Sequence, residues 1–527
     1  MVIQGAHEEL ESPPVSCTEK TPLYGKFHTV VVGGGPAGLT ASVYLTDRVR
    51  RILLLEKEPE LGGAALGATG NASYGRGGAY VTDVEKNLLR IYKHLGLGDF
   101  LKNQSIPEPI DSYWWNHNYY VGVWDHHSLE KLPKSFSIFK FLLEKANDEN
   151  SIPSQPMETH PGAAQLDQIN FAQWVRQMPS ELERRAFSGD LKALELLKAF
   201  EQSSELKLSE PMRPVLKLLE LYGRSALGDH PEEISAAAFA NFYISEIGPR
   251  FSSSLGSGFV SQAAIKKLQR RPWFHARTNS RVKRMVVLPQ GVRICFQSGS
   301  EVLRVEARHA VYAIPLGYAP SLIEQLDSLD PEKLKAIQQL SYRHYQVMNF
   351  HLQGHPWHDS YGLWIRDDAT YSTHGVTDLI EGRWFDFEGN KKPRLDDRGV
   401  LTLYNPLPEE YLSIGLTEKV VIERAETAAI QLEELVNQLL QKRNEPPLKI
   451  LAIEINRWPY SIHVVKPGHL TQTSPVLSRR IGDLYFASSN LGTPAVEEAL
   501  YRGSIAAKNI LAREDSKSED GKGPNLD

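Results

Sequence analysis

Gly33-Gly34-Gly35-Pro36-Ala37-Gly38 sets three glycines at GxGxxG spacing. Residues spaced this way can bind phosphate. The first glycine permits a tight turn, the second lets backbone approach a pyrophosphate, and the third lets a helix lie close to a strand. Pro36 and Ala37 open that helix, whose free N–H groups and positive dipole end face the anion. Glu56, 21 residues after Gly35 and followed by Lys57, is a carboxylate placed to accept hydrogen bonds from both hydroxyls of a ribose. Eleven of the 39 glycines lie between Gly33 and Gly78, a density that marks backbone in close approach to a ligand.

These residues need particular elements to hold them. Phe27-His28-Thr29-Val30-Val31-Val32 is short, β-branched and apolar, the pattern of a buried parallel strand. Leu39 to Thr46 has helical character, and Arg51-Ile52-Leu53-Leu54-Leu55-Glu56 is a second strand, which completes a βαβ unit. Strands of similar type return at 281–287, 291–296, 310–314 and 484–487. The stretch 167–217 reads as several helices broken at Pro179, Gly189 and Pro211, and 418–442 as one long amphipathic helix. A helix is expected from Pro494 to about Leu511, capped by Thr493. Its Ala495, Ala499, Gly503 and Ala507 form one small-residue face.

The cradle alone does not separate a nicotinamide enzyme from a flavin enzyme. Leu61-Gly62-Gly63 and the C-terminal segment do. With them the sequence resembles the flavin-containing amine oxidases, the superfamily that also holds phytoene desaturases and protoporphyrinogen oxidase. The resemblance covers most of 27–100, 235–320 and 450–511. It implies that Gly62-Gly63 lies over an FAD pyrophosphate and that Gly77 and Gly78 bring backbone beside the flavin ring. It implies also that Val282 touches adenine and that Ala313-Ile314-Pro315 ends a strand. Ser489, Asn490, Ala495 and Val496 belong to the C-terminal cofactor element. Two departures stand out. Ala64 replaces the family's pyrophosphate-binding Arg, with Arg76 a candidate substitute, and Ser489 or Asn490 replaces its C-terminal acidic residue. Residues 296–527 contain no Cys, so the family's C-terminal thioether is impossible and FAD is expected to be non-covalent.

On the substrate side, the resemblance brings the segment holding Trp458 and Tyr460 near the flavin face, and aromatic faces attract amine cations. Arg76 and Tyr80 are further candidate cavity residues, and no side-chain base is identifiable. Tyr113 to Tyr120 reads as a hairpin, more structural than cavity wall, and Arg224 as a possible carboxylate site or a surface residue. His351, His355 and His358 have ligand-like spacing, but Gly354 and Pro356 break any helix that would align them, so no metal is expected. His126-His127 reads as a loop and Cys295 as a packed thiol.

Composition excludes other classes. In 527 residues, 59 basic and 64 acidic side chains give a net charge of −5, which argues against a nucleic-acid footprint. Two cysteines cannot supply a disulfide framework or a cysteine zinc site. No stretch is apolar enough to span a membrane. No signal peptide is visible, which favours the cytoplasm, and 1–26 and 512–527 read as disordered tails.

The expected architecture is α/β. A Rossmann-like FAD domain is assembled from 27–100, 235–320 and 450–511, and an α+β substrate domain from 101–234 and 321–449. The expected function is an FAD-dependent oxidoreductase that moves a hydride to flavin N5 from a substrate C–H, most naturally one next to an amine. A desaturase of a non-amine hydrophobic substrate and a non-catalytic binding protein on the same fold are the alternatives. In many family members a Lys beside flavin N5 helps reduced flavin react with O₂. No Lys occurs from Ala336 to Asn390, and Val347 stands roughly where the resemblance places it. A dehydrogenase using a quinone-like acceptor is therefore expected in preference to an efficient oxidase.

Overall fold

The computed structural model describes residues 2–4, 15–68, 74–82, 86–101, 104–106, 110–115, 118–353, 360–366, 378–381, 398–407, 409, 411–415 and 417–519. Two sheets dominate. The first runs Phe274–Arg277, Ile52–Leu55, Leu23–Val32, Glu301–Tyr312, Val292–Ser298 and Ser280–Val287, and Leu484–Phe486 adds to Glu301–Tyr312. Leu23–Val32 lies parallel to both of its neighbours, with Val30 opposite Leu53 and Ala310. Its apolar run is buried on both faces, as a central parallel strand requires. Val31 faces the first helix, Pro36–Thr46, and the C-terminal helix, whereas Val30 and Val32 face a separate core with Met285, Ile294 and Phe296. Small residues decide how closely those helices lie: a Cβ on Gly503 would stand 2.2 Å from the Ala37 carbonyl oxygen.

Among the described residues the second sheet has eight strands, in the order Val2–Gln4, Lys449–Val464, Ser341–Gln353, Arg398–Pro406, Asp378–Glu381, Gly362–Arg366, Asp111–Trp115 and Asn118–Val121. Strand alternation gives it two different faces. Met348, Phe350, Leu401, Leu403 and Ile455 pack beneath the helix Glu418–Lys442. Tyr345, Val347, Tyr404 and Ile462 form the opposite face, toward the first sheet. A helical layer built around Phe139, Phe171, Tyr222 and Phe239 closes one side.

The fold thus has the mixed α/β architecture expected, but several local readings change. Val2–Gln4 pairs with Glu454–Asn456, and Leu23–Lys26 extends the central strand, so 1–26 is not a free tail throughout. The C-terminal helix starts at Val496, two residues later than expected, and continues to Glu519, because Arg308 and Arg48 hold Glu514 and Asp515. Cys295 is no packed thiol. It forms a disulfide with Cys17, 278 residues away, which fastens the N-terminal segment to the first sheet. His126-His127 opens a short helix capped by Asp125. The Asp111–Trp115 hairpin with Asn118–Val121 is present, and the 418–442 helix has the bounds expected.

Candidate functional site

A cavity of about 1150 Å³ runs from the glycine cradle to the face of the second sheet. At one end it is lined by backbone. Gly33 adopts φ +105°, and a Cβ there would meet the Ala313 carbonyl oxygen at 2.6 Å. Gly38 permits the helix to start close to the strand, since its Cβ would stand 2.0 Å from the Gly33 carbonyl oxygen. Over Gly35 there is room: the nearest atom to a Cβ is the Gly63 Cα at 3.8 Å. Gly33, Gly35, Pro36, Ala37, Lys57, Gly63, Gly77, Gly78, Val282, Ser489, Ala495 and Val496 all line the cavity. Gly38 and Gly62 do not reach it and act by packing and turning the chain.

Glu56 sits at the cradle's rim. It accepts the Gly34 N–H on Oε2 at 2.6 Å and the Glu58 N–H on Oε1 at 2.9 Å. Each carboxylate oxygen keeps a lone pair for a hydroxyl donor. Burial raises its pKa while those two N–H groups oppose the rise. Burial lowers the pKa of Lys57, with Glu58 opposing.

Two expected cofactor contacts have protein partners. Arg76 donates to Asn456 Oδ1 at 3.0 Å and to Glu60 Oε1 at 2.6 Å, and it does not line the cavity. Asn490 lines the cavity, but its Oδ1 accepts from Leu316 N at 2.8 Å and Tyr342 Oη at 3.2 Å. Its amide side chain ties the turn at Leu316 to the strand start at Tyr342 and to His463, whose Nδ1 lies 3.2 Å from Asn490 Nδ2.

The other end of the cavity is built from side chains. Trp458, Tyr460 and Tyr80 line it as expected. Trp458 donates from Nε1 to the Arg76 carbonyl, and Tyr460 sits at φ +53° among Tyr318, Tyr342 and His344. Beyond them lies a polar network that sequence reading did not find. Tyr80 donates to Glu246 at 2.7 Å, and the fully buried Arg250 pairs with Glu246 at 2.5 Å and Asp111 at 2.6 Å. Asp378 accepts from Ser225 Oγ at 2.6 Å, and Tyr345 Oη donates to the Ser225 carbonyl at 2.8 Å. Burial pushes the Asp378 carboxyl up to about 7 and raises that of Glu246. Glu497, which accepts from the Thr82 N–H, is also raised to about 7 by burial. Tyr361 and Tyr404 complete the wall, the latter donating to the Gly77 carbonyl at 2.7 Å.

Glu246 and Arg250 left one clue, an i,i+4 acid–base pair at a helix end. Asp378 left none. Arg224 does not line the cavity, though its neighbour Ser225 does. His355 and His358 lie outside the described residues. His351 packs edge-on against Tyr74, with ring centroids 5.2 Å apart.

The family described as flavin containing amine oxidoreductase matches residues 36–511. The chain belongs to that family. Members carry a flavin, and the cradle, the ribose-side carboxylate and the open space over Gly35 suit one. Among solved amine oxidoreductase structures, this fold is similar to putrescine oxidase bound to putrescine, with a TM-score of 0.61 and 16% identity over 93% of this chain and 99% of that one. It is equally similar to cyclohexylamine oxidase from Brevibacterium oxydans IH-35A, with a TM-score of 0.61, 20% identity and the same coverage. In sequence, 154 residues are 27% identical to putrescine oxidase from Kocuria rosea, or 28% of this chain and 30% of that enzyme. Another 88 residues are 36% identical to flavin-containing amine oxidase A of Canis lupus familiaris, or 16% of this chain and 17% of that enzyme. The aligned stretches thus span less than a third of these relatives. No helix among the described residues is long and apolar enough to cross a membrane.

Proposed function

We propose that this chain is an FAD-dependent amine dehydrogenase whose FAD is held without a covalent bond. One observation carries the amine reading. Among the described residues, the inner end of the cavity holds the carboxyls of Asp111, Glu246 and Asp378 against the guanidinium of Arg250. A buried excess of carboxylate favours a cation, and the surrounding Tyr and Trp faces favour one with an apolar body. The names of the similar proteins, putrescine and cyclohexylamine oxidases, support the same reading.

Bound FAD would accept a hydride from the carbon next to the amine nitrogen. The chain's own residues bind and orient. Gly33, Gly35 and the helix start at Pro36 would hold the pyrophosphate, and Glu56 the ribose. Val282 would contact adenine, and Gly77, Gly78, Ala495 and Val496 would border the ring. Asp378 would hold the substrate ammonium, steered by Ser225, while Tyr345, Tyr404 and Trp458 exclude water. The segments 27–100, 235–320 and 450–511 would form the cofactor domain, with 101–234 and 321–449 above it.

The dehydrogenase reading rests on the absent Lys. Val347 lines the cavity, and neither neighbouring base replaces the charge. His344 is pushed down to about 4 by burial and stays neutral, and Arg343 is tied to Asp229 and the Tyr342 carbonyl. A quinone-like acceptor follows. The Cys17–Cys295 bond supports an oxidising compartment over the cytoplasm, where thiol pools keep such pairs reduced.

The test is to purify the yellow protein, release the flavin with acid, and screen amines anaerobically for bleaching of the bound flavin. Bleaching by primary amines, with all flavin released as FAD, is expected. Bleaching only by polyenes or alicyclic ketones would replace the amine reading. Photoreduced enzyme mixed with air should reoxidise no faster than free reduced flavin, and rapid stoichiometric peroxide would overturn the dehydrogenase assignment.

A further inference from the structure

Far from the cavity, three side chains converge from three separate elements. His28 comes from the central strand Leu23–Val32, His309 from Glu301–Tyr312 and Glu514 from the C-terminal helix. Their ligand atoms all lie within 4.8 Å of one another. The Glu514 carboxylate meets His309 Nε2 at 2.8 Å through Oε1 and His28 Nε2 at 3.4 Å through Oε2. Ligand atoms held about 2.0–2.1 Å from a tetrahedral ion stand roughly 3.3 Å apart, and these separations straddle that value. His309 is fully buried, while Glu514 keeps about a fifth of its side chain exposed, so one side of the cluster is open to solvent.

The far nitrogen of each ring is also engaged. His28 Nδ1 lies 2.9 Å from Thr29 Oγ1. His309 Nδ1 lies 3.4 Å from Asp483 Oδ1 and has no hydrogen bond of its own, while Asp483 Oδ1 is paired with Arg513 at 3.1 Å. Metal-bound histidines are usually oriented this way, one nitrogen on the ion and the other N–H on an oxygen. His309 faces a carboxylate at each nitrogen, and a neutral imidazole has one N–H to offer them. An ion on Nε2 removes the conflict: the lone pair goes to the ion and the N–H is fixed toward Asp483. Arg308 holds Glu514 Oε2 at 2.6 Å and Arg513 holds Asp483 Oδ1 at 3.1 Å, so the ion would share the Glu514 carboxylate with Arg308.

We propose that His28, His309 and Glu514 form a binding site for a divalent transition-metal ion of the zinc type. Two imidazoles and one carboxylate suit zinc better than calcium or magnesium, which prefer all-oxygen shells. Its role would be structural. The C-terminal helix begins at Val496 in the cavity, and Glu514 lies 18 residues further on, about 27 Å at 1.5 Å per residue. An ion there would bolt the helix to the strand Leu23–Val32, which leads into Gly33.

The test uses the full-length, FAD-loaded protein, stripped with EDTA and titrated with zinc chloride by calorimetry, with magnesium as control. One equivalent of zinc should bind, the melting temperature should rise, and EDTA should reverse both. Glu514→Gln and His28→Gln alter partly exposed residues and should fold. Each should weaken zinc binding at least tenfold and abolish the thermal shift. No stoichiometric zinc binding, or binding equally tight in both variants, overturns the site. Zinc-edge anomalous scattering provides the independent check, because a peak at any other position also overturns it.

Discussion

The two ends of the cavity are made of different material. The cofactor end is mostly backbone, with Gly33, Gly35, Gly63, Gly77 and Gly78 clustered within 46 residues of sequence. The substrate end is mostly side chains, Tyr80, Asp111, Ser225, Glu246, Arg250, Tyr345 and Asp378, gathered from 299 residues of chain. Backbone sites tolerate almost no substitution but bind any ligand with the same phosphates. Side-chain sites can be exchanged one group at a time, and this is where members of one family can diverge in substrate.

The contrast can be broken from either end. The largest effect is expected at Gly38. An added methyl would sit 2.0 Å from the Gly33 carbonyl oxygen, with no flexible side chain to give way, so Gly38→Ala should purify without flavin or fail to fold. Retention of a normal flavin spectrum would show that the cradle is looser than its backbone implies. Next is Glu56→Ala, which removes charge-assisted hydrogen bonds individually worth about 1.5–3 kcal/mol. FAD affinity should fall at least tenfold, measured by flavin fluorescence on rebinding. Glu58→Ala, whose carboxylate pairs with Lys57 at 3.2 Å, should change it less than twofold.

At the opposite end, Asp378→Asn should leave FAD affinity unchanged and raise KM for an amine about tenfold. This substitution also sharpens the comparison through pH. The Asp378 carboxyl is raised from 3.8 to about 7 by burial, so the folded state binds the proton more tightly than the unfolded chain does. The stability it contributes is full below about pH 4 and is lost as pH rises through 7. Melting temperature in the absence of amine should therefore fall between pH 5 and 8, and less steeply in Asp378→Asn. For the amine the sign reverses. KM should rise as pH drops below 7, because a protonated Asp378 no longer attracts an ammonium. A KM that is flat across that range would remove Asp378 from substrate binding.

How much was legible in the sequence follows from the same contrast. The βαβ unit could be read because its signals are local: a β-branched run, glycines at fixed spacing, and a carboxylate at the next strand end. The 418–442 helix could be read because 3.6-residue periodicity is also local. Arg76 was expected to line the cavity because sequence places it beside the flavin element without showing that Asn456, 380 residues away, holds its guanidinium. Asp378 was missed for the same reason, since Ser225 and Tyr345 become its neighbours only through folding. Cys17 and Cys295 looked like two unrelated thiols because a single pair has no spacing pattern.

The first sheet draws its strands from the beginning, the middle and the end of the chain, and Leu484–Phe486 is the last to join. During synthesis the cradle therefore leaves the ribosome several hundred residues before the strand and helix that close it. The nascent chain lacks the strand and helix that close the cavity, so a flavin can be enclosed only after residue 484 and those that follow have been made. A message cut short before codon 484 would yield a product that carries the whole GxGxxG motif and yet holds no cofactor.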